Sequence, residues 1–509
     1  MSKNTFQSHN KENKVFTYYT NASSATTFNP SFNRSLFQKR LHIDYGDNSS
    51  YDTGLSFSKV YSDGGITKKV KIIGDTFTDV YGMTSTSDSI IGNVDLTPLN
   101  YLTSINLSSN SQLTGVTYPS ISSSVAINNC GLSGNHDVSN VSLNSIFLAY
   151  SNPNLTGITH SYSNNNINVY QIQNCDIRGN HDMTMFPKLG SNFRVESNFN
   201  LTGITHTAST QNFVFYWAYN CNLTGTHDMS MLSGLGGLFL IQNNPLLTKI
   251  LHTASTQTFS TYNVSNCNLT GNHDVSMFPN MGGDFRTEFN SNLTGITHTL
   301  STQNFIVYES SNCNLTGIHD LSMFPNLGGI FNLANNTNLT GVLHTASTQV
   351  FTSYAVQNCN LTGIHDISKL SGLGGRIVLY LNNNLTSVLF PYSNQVFKNN
   401  ALTIPDSAFA MYSCNLDYVD FNPLSGITMD VNSTYGATIN LSTNGMSAAD
   451  LNHILYDFSG ITSNNLNRWS GVTLNISSNS APDTTSGGYN GISAINYLTG
   501  ATANWTIIL

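Results

Sequence analysis

Six histidines in this sequence of 509 residues stand directly before an aspartate: His136, His181, His227, His273, His319 and His365 precede Asp137, Asp182, Asp228, Asp274, Asp320 and Asp366. Five more, His160, His206, His252, His298 and His344, fall in stretches that resemble "GITHTAST". An imidazole beside a carboxylate can serve as a general base. Two carboxylates about 5 to 9.5 Å apart can cleave a glycosidic bond. Either chemistry needs one differentiated centre, whereas here the same pair returns five times. The pairs therefore read as a hydrogen-bonded ladder on the far side of the fold, with a row of metal or glycan contacts as the alternative.

The elements that position these residues are set by a second periodicity. Cys175, Cys221, Cys267, Cys313 and Cys359 are spaced evenly, each 46 residues from the next, with Cys130 standing 45 before the first. The same apolar frame precedes each one, as in Phe259, Tyr262, Val264, Cys267 and Leu269. Halfway between come Asn198, Asn244, Asn290, Asn336 and Asn382, with a matching frame such as Phe331, Leu333, Asn336 and Leu339. Each 46-residue unit is thus two 23-residue coils, one with Cys and one with Asn at the same station. The frame L-x-x-L-x-L-x-x-N/C-x-L resembles the leucine-rich-repeat family. That resemblance covers roughly residues 96–480 and implies a solenoid with a parallel β-sheet, one short strand per coil, in about sixteen coils. Successive cysteines then lie two coils, or about 9.6 Å, apart. A disulfide tolerates no more than about 7 Å between Cα atoms, so the thiols are expected buried and free. A ladder does not converge on a point, so no metal and no cofactor is expected.

Both ends depart from the repeat. In "NGMSAADLNHILYDFSG", Ser447 and Asp450 form a capping-box pattern, and Leu451, Ile454, Leu455 and Phe458 fall on one helical face. A further coil follows at Leu474, Ile476 and Asn479, then a short helix in "GISAINYLTG" and a last strand in "ANWTIIL" that carries Trp505 over the core. This tail is similar to the C-terminal cap of leucine-rich proteins of Bacteroidota and their phages. Near the N-terminus Asp44, Gly46, Asp47, Tyr61, Gly65, Val70 and Ile72 resemble the polycystic-kidney-disease-type β-sandwich. The expected organisation is an N-terminal anchoring arm over 1–40, a small β-rich domain or N-cap over 41–95, the solenoid over 96–425 and an α/β cap over 426–509.

Composition narrows the function. Only 9% of the residues are charged, against roughly 25% in ordinary soluble domains. The 27 Phe and 24 Tyr supply enough apolar burial to set aside disorder. The net charge is −8, and 10 of the 19 Lys and Arg lie in residues 1–75. No basic stripe continues beyond that head, so nucleic acid is not an expected partner. No apolar run of about 18 residues marks a membrane span, and the first residues carry no secretory leader pattern. There is no nucleophile elbow and no phosphate loop, so no enzyme is expected. The reading is a bacteriophage tail or head fibre, a virion protein assembled in the host cytoplasm. Its N-terminal region would hold other virion proteins, and its solenoid would meet a host-surface glycan or protein. A BspA-like adhesin on the bacterial cell surface, or a capsid decoration protein without a receptor role, are the alternatives.

One coil marks a candidate contact site. In "FVFYWAYNC", Tyr216 and Ala218 take inward places, so strand alternation turns Phe215, Trp217 and Tyr219 outward together. Leu238 and Leu240 of the next coil would extend this patch, and Arg194 of the preceding coil would give it a polar rim.

Overall fold

The computed structural model describes residues 90–397, 408–430 and 437–509 throughout, residues 81–86, and from the first 80 residues the strand segments alone. The chain divides into two compact units, 1–236 and 237–509. About 13 coils of about 23 residues are wound as a parallel β-solenoid with little helix.

In the first unit a six-stranded sheet runs in the order Gln112–Thr117, Ile90–Asp95, Lys14–Thr20, Lys68–Gly74, Leu41–Asp44, Ser50–Thr53. Lys14–Thr20, from the region read as an arm, pairs antiparallel with Lys68–Gly74 over its full length. Residues 1–13 and 35–40 of that region, and Gly46, Asp47, Tyr61 and Gly65 of the sandwich pattern, lie outside the described residues. The solenoid strands of this unit, Ser104–Asn106, Ile121–Ala126, Val141–Leu148, Ile167–Gln171, Leu189–Arg194 and Phe213–Trp217, pair in parallel, each with the next. In the second unit the same ladder runs from Gly237–Leu240 to Thr506–Ile508. On another side of the coils the strands pair only two by two, as in Arg178–Asp182 with Asn200–Thr205 and Thr316–Leu321 with Asn338–His344.

The core follows from what each coil turns inward. Tyr from the Cys175, Cys221, Cys267, Cys313 and Cys359 coils and Phe from the Asn152, Asn198, Asn244, Asn290 and Asn336 coils occupy one register position, which Val125, Ile377 and Phe409 fill in flanking coils. In the first unit Phe147, Tyr170, Phe193 and Tyr216 form a file with ring centres 5.0–5.8 Å apart. In the second, Phe239, Tyr262, Phe285, Tyr308, Phe331 and Tyr354 do the same at 4.8–5.7 Å. Such offset stacks add to area burial.

All seven cysteines are buried and free. Each thiol donates to a carbonyl one coil back, as Cys175 Sγ does to Ala149 at 3.3 Å and Cys313 Sγ to Thr287 at 3.2 Å. The Asn stations do more. Asn198 Nδ2 donates to the carbonyls of Ile172 and Val195, and its Oδ1 accepts the Ile177 amide of the preceding Cys coil. A Cys station needs no such acceptor, because the preceding Asn coil closes on itself through Leu201 N–H to the Asn198 carbonyl. That difference explains the alternation.

The cap forms as its sequence predicts. Helix α1, Ala448–Asn464, starts at Ser447 with a capping box to Asp450. The short α2, Leu466–Trp469, follows, then α3, Gly491–Thr499. Trp505 is buried, and its indole N–H donates to the Trp469 carbonyl at 2.6 Å. Because α1 and α2 are inserted between the strands Thr438–Asn440 and Thr473–Asn475, coils lengthen towards this end. Cys414 Sγ reaches a carbonyl 35 residues back, where Cys175 to Cys359 span 26 and Cys130 spans 23. The coils number about 13 rather than the sixteen expected.

Candidate functional site

The paired histidines and aspartates do not bond to each other as a ladder. Every paired His is buried, and its Nε2 meets a tyrosine hydroxyl: His136 meets Tyr118, outside the inner file, at 3.0 Å, and the others meet tyrosines of the file, His181 with Tyr170 at 2.7 Å, His227 with Tyr216 at 2.9 Å and His319 with Tyr308 at 2.7 Å. The second histidine set approaches the same hydroxyls, His160 at 2.7 Å, His206 at 2.8 Å and His298 at 2.8 Å. One tyrosine thus bridges two imidazoles in each double coil. Nδ1 of His160, His298 and His344 is buried without a partner. A buried N–H with no acceptor costs more than a bare lone pair, so these rings carry their proton on Nε2. They donate to the tyrosine, and the tyrosine donates to the His of the His-Asp pair. Burial holds the imidazoles neutral, pushing His181 and His319 down to about 4 and His206 and His344 down to about 3.

The aspartates are exposed and cap turns instead. Asp182 Oδ1 accepts the Thr184 amide at 2.9 Å, and Asp320 Oδ1 accepts that of Ser322 at 2.9 Å. Hydrogen bonds from the residue two positions on hold Asp137, Asp228 and Asp320 below the usual carboxylate range. His and Asp are adjacent in sequence because a strand sends alternate side chains to opposite faces. A groove of about 380 Å³ between Asn200–Thr205 and Thr224–Asp228 is lined in part by His206 and His227, but their Nε2 atoms are taken up by Tyr216. Among the described residues no group of three or more His, Cys, Asp or Glu is placed to hold a metal.

The outer face of the parallel sheet carries the differentiated residues. In the first unit Phe215 and Trp217 meet edge to face at 5.4 Å, and Trp217 lies 6.0 Å from Tyr219. Arg194, on the neighbouring rung, puts its guanidinium carbon 4.2 Å from the Trp217 ring centre. The same arginine is ion-paired with Glu196. The three aromatics and Arg194 are half-buried. Leu238 and Leu240 belong to the second unit, where both are half-buried and flank the buried Phe239. The structure thus assembles Arg194, Phe215, Trp217 and Tyr219 as one cluster.

Sequence reasoning singled out neither Gln173 nor Glu196 as a contact residue. Gln173 is 5% exposed and Glu196 3%, yet Gln173 Oε1, Glu196 Oε2 and the Trp217 indole nitrogen have no hydrogen-bond partner. The available signal was their place, two residues beyond the outward Gln171 and Arg194 and just before the tight turn at Asn174 and Ser197.

Two other places compete. In the second unit Arg286 Nη1 lies 2.5 Å from Glu309 and 4.0 Å from Glu288, and Asn332 donates to Glu309 at 3.0 Å. Burial, with Glu309 nearby, pushes the Glu288 carboxyl up to about 7. Glu309 is held by both Arg286 and Asn332, whereas Glu288 Oε2 is buried without a partner. In the cap a hollow of about 330 Å³ is lined by Tyr456, Tyr489 and Tyr497, and none of their hydroxyls is a buried, partnerless group.

Comparison of the chain with protein-family models, with curated proteins and with solved structures finds no match.

Proposed function

We propose that this protein is a non-enzymatic binding solenoid. In this reading it is a leucine-rich-repeat fibre of a bacteriophage particle that meets the host surface with the outer face of its parallel sheet. The observation that carries the reading is the cluster of Phe215, Trp217 and Tyr219 with Arg194 stacked on the indole. Trp, Tyr and Arg are the residue types that dominate binding energies. The regularity of the remainder fits a spacer. Its His, Tyr, Cys and Asn are consumed by internal bonds repeated from coil to coil. The N-terminal region would join the protein to other virion components.

The test has two parts. Mass spectrometry of purified phage particles from the source culture should find the chain. Labelled protein should bind cells of the host bacterium, and Trp217→Ala should reduce that binding at least tenfold with little change in melting temperature. Absence from particles removes the virion reading. Unchanged binding by Trp217→Ala removes this face as the contact surface.

A further inference from the structure

We propose that Gln173, Glu196 and Trp217 form a saccharide subsite on the outer face of the first unit. The proposal rests on the reading of that face as the contact surface and adds what the ligand is. The three residues stand on consecutive rungs. Asn174 N–H donates to the Glu196 carbonyl at 3.1 Å, and Ser197 N–H to the Tyr219 carbonyl at 3.0 Å. Gln171, Arg194 and Trp217 are register partners in the same three strands. The site therefore spans two rung spacings, about 9.6 Å.

Native proteins leave few buried polar atoms unpaired, and each such atom calls for an explanation, an absent ligand among them. Unpaired side-chain oxygens recur at this station at Gln242, Glu288 and Gln357 of the second unit, but in the first unit Gln173, Glu196 and Trp217 place three such atoms on three adjacent rungs, two of them on side chains more than nine-tenths buried. Their chemistry selects the ligand. Gln173 Oε1 and Glu196 Oε2 accept only, whereas the indole N–H donates only. An ammonium group supplies donors but no acceptor for the indole. A carboxylate or phosphate supplies acceptors only and would meet Glu196 with like charge. A hydroxyl both donates and accepts, so a compound with several hydroxyls satisfies all three atoms. Because Arg194 is already paired with Glu196, the site has no net charge to favour an ion. Phe215 and Tyr219 flank the indole and offer ring faces to the C–H surface of a pyranose. Since the three polar atoms are covered, a ligand must turn the half-buried side chains around them, and tryptophan emission reports that motion. The other two tryptophans, Trp469 and Trp505, are buried in the cap.

The test uses the full chain on an array of immobilised bacterial capsular and lipopolysaccharide oligosaccharides, followed by fluorescence titration with any oligosaccharide retained. Wild type should bind at least one, with a change in emission that Trp217→Phe abolishes. Gln173→Leu removes an acceptor that has no partner in the protein, so its melting temperature should stay or rise while binding falls at least tenfold. Glu196→Gln should weaken binding by a similar factor. No retained oligosaccharide, or undiminished binding by Gln173→Leu, overturns the proposal. The two readings fail separately. If wild type still binds host cells through Trp217 but protease treatment of the cells abolishes binding and periodate does not, the contact face stands and the saccharide does not. If no host cell is bound but the array result holds, the saccharide stands and the host-contact reading falls.

Discussion

The Tyr308 hydroxyl and the His319 imidazole are hydrogen-bonded at 2.7 Å in the interior of the second unit. His298 reaches the same oxygen at 2.8 Å, so the tyrosine gives its one proton to one ring and takes a proton from the other. The arrangement works only while both rings are neutral. An unfolded histidine titrates near 6.5, whereas burial pushes folded His319 down to about 4 and holds His298 well below its ordinary value. Between these limits the unfolded chain binds protons that the folded chain does not, so stability rises with pH across that window. It is complete above about pH 6.5 and is lost as pH falls towards 4, on the order of 3 kcal/mol for His319. The melting temperature should drop by more than about 10 °C from pH 7 to pH 5. A flat profile over that range would show that the ladder does not govern stability.

Removing the shared hydroxyl tests the same network at neutral pH. Tyr308→Phe keeps the aromatic stack with Phe285 and Phe331 but strands two buried imidazole nitrogens. The cost should be about 2–6 kcal/mol, each unsatisfied group contributing about 1–3. The reverse change in an Asn coil, Phe331→Tyr, adds a hydroxyl where no such His pair stands ready and should also destabilise. Chemical denaturation of the three proteins decides it. A Tyr308→Phe protein as stable as wild type would mean that the ring stack alone holds the core.

The Cys and Asn stations should not be interchangeable. Cys313 only donates, to the Thr287 and Ser311 carbonyls, so Cys313→Ser keeps a donor and should cost less than about 1 kcal/mol. Asn336 also accepts the Leu315 amide at 3.0 Å. Asn336→Cys leaves that amide unpaired and should cost about 1–3 kcal/mol more. Burial pushes the Cys313 thiol up to about 12, so it should resist alkylation in the native protein and react after denaturation. Rapid native labelling would contradict the register.

Two glycines separate conformation from crowding. Gly329 has φ +65°, and an added Cβ would stand 2.0 Å from the Ile306 carbonyl oxygen. Backbone cannot retreat, so Gly329→Ala should cost more than about 3 kcal/mol, strain and clash together. At Gly203 the obstacle is Asn180 Oδ1 at 2.7 Å, the end of a side chain that can turn aside. Gly203→Ala should cost under about 1 kcal/mol. Equal melting temperatures for the two variants would contradict the stated backbone geometry.

The solenoid was legible because burial repeats. Tyr262, Cys267 and Leu269, and likewise Phe331, Asn336 and Leu339, keep their spacing, so the inward face of each coil could be read directly. The cap was legible from Ser447 and Asp450, which announce α1. The His-Tyr-His bridge was not. His298 lies 10 residues before Tyr308 and His319 lies 11 after it, a separation that means nothing until the coil brings three of its sides around one point. The matching 46-residue periods of Tyr and both histidines carried that signal. At the outer face, alternation found Phe215, Trp217 and Tyr219. Gln173 and Glu196 escaped notice because a polar residue on an outward position reads as solvated, and only packing shows them buried and unpaired.

Trp217 gives the sharpest division between packing and contact. Its ring touches Phe215, Tyr219 and Arg194 within the first unit. Aromatic pairs add about 0.5–1.5 kcal/mol and an exposed cation–π contact about 0.5–1. Trp217→Ala should therefore cost the fold roughly 1.5–4 kcal/mol in total, a shift of a few degrees in a protein of this size. Loss of a binding anchor is larger in its effect, since truncating a tryptophan at the centre of an interface commonly removes 2 kcal/mol or more, at least a tenfold loss of attachment. Arg194→Lys keeps the charge but not the flat guanidinium that lies over the indole, and should give an intermediate loss. The measurements are host-cell binding isotherms and thermal melts on wild type and both variants. A large fall in melting temperature with attachment unchanged would assign the cluster to packing and move the contact face elsewhere.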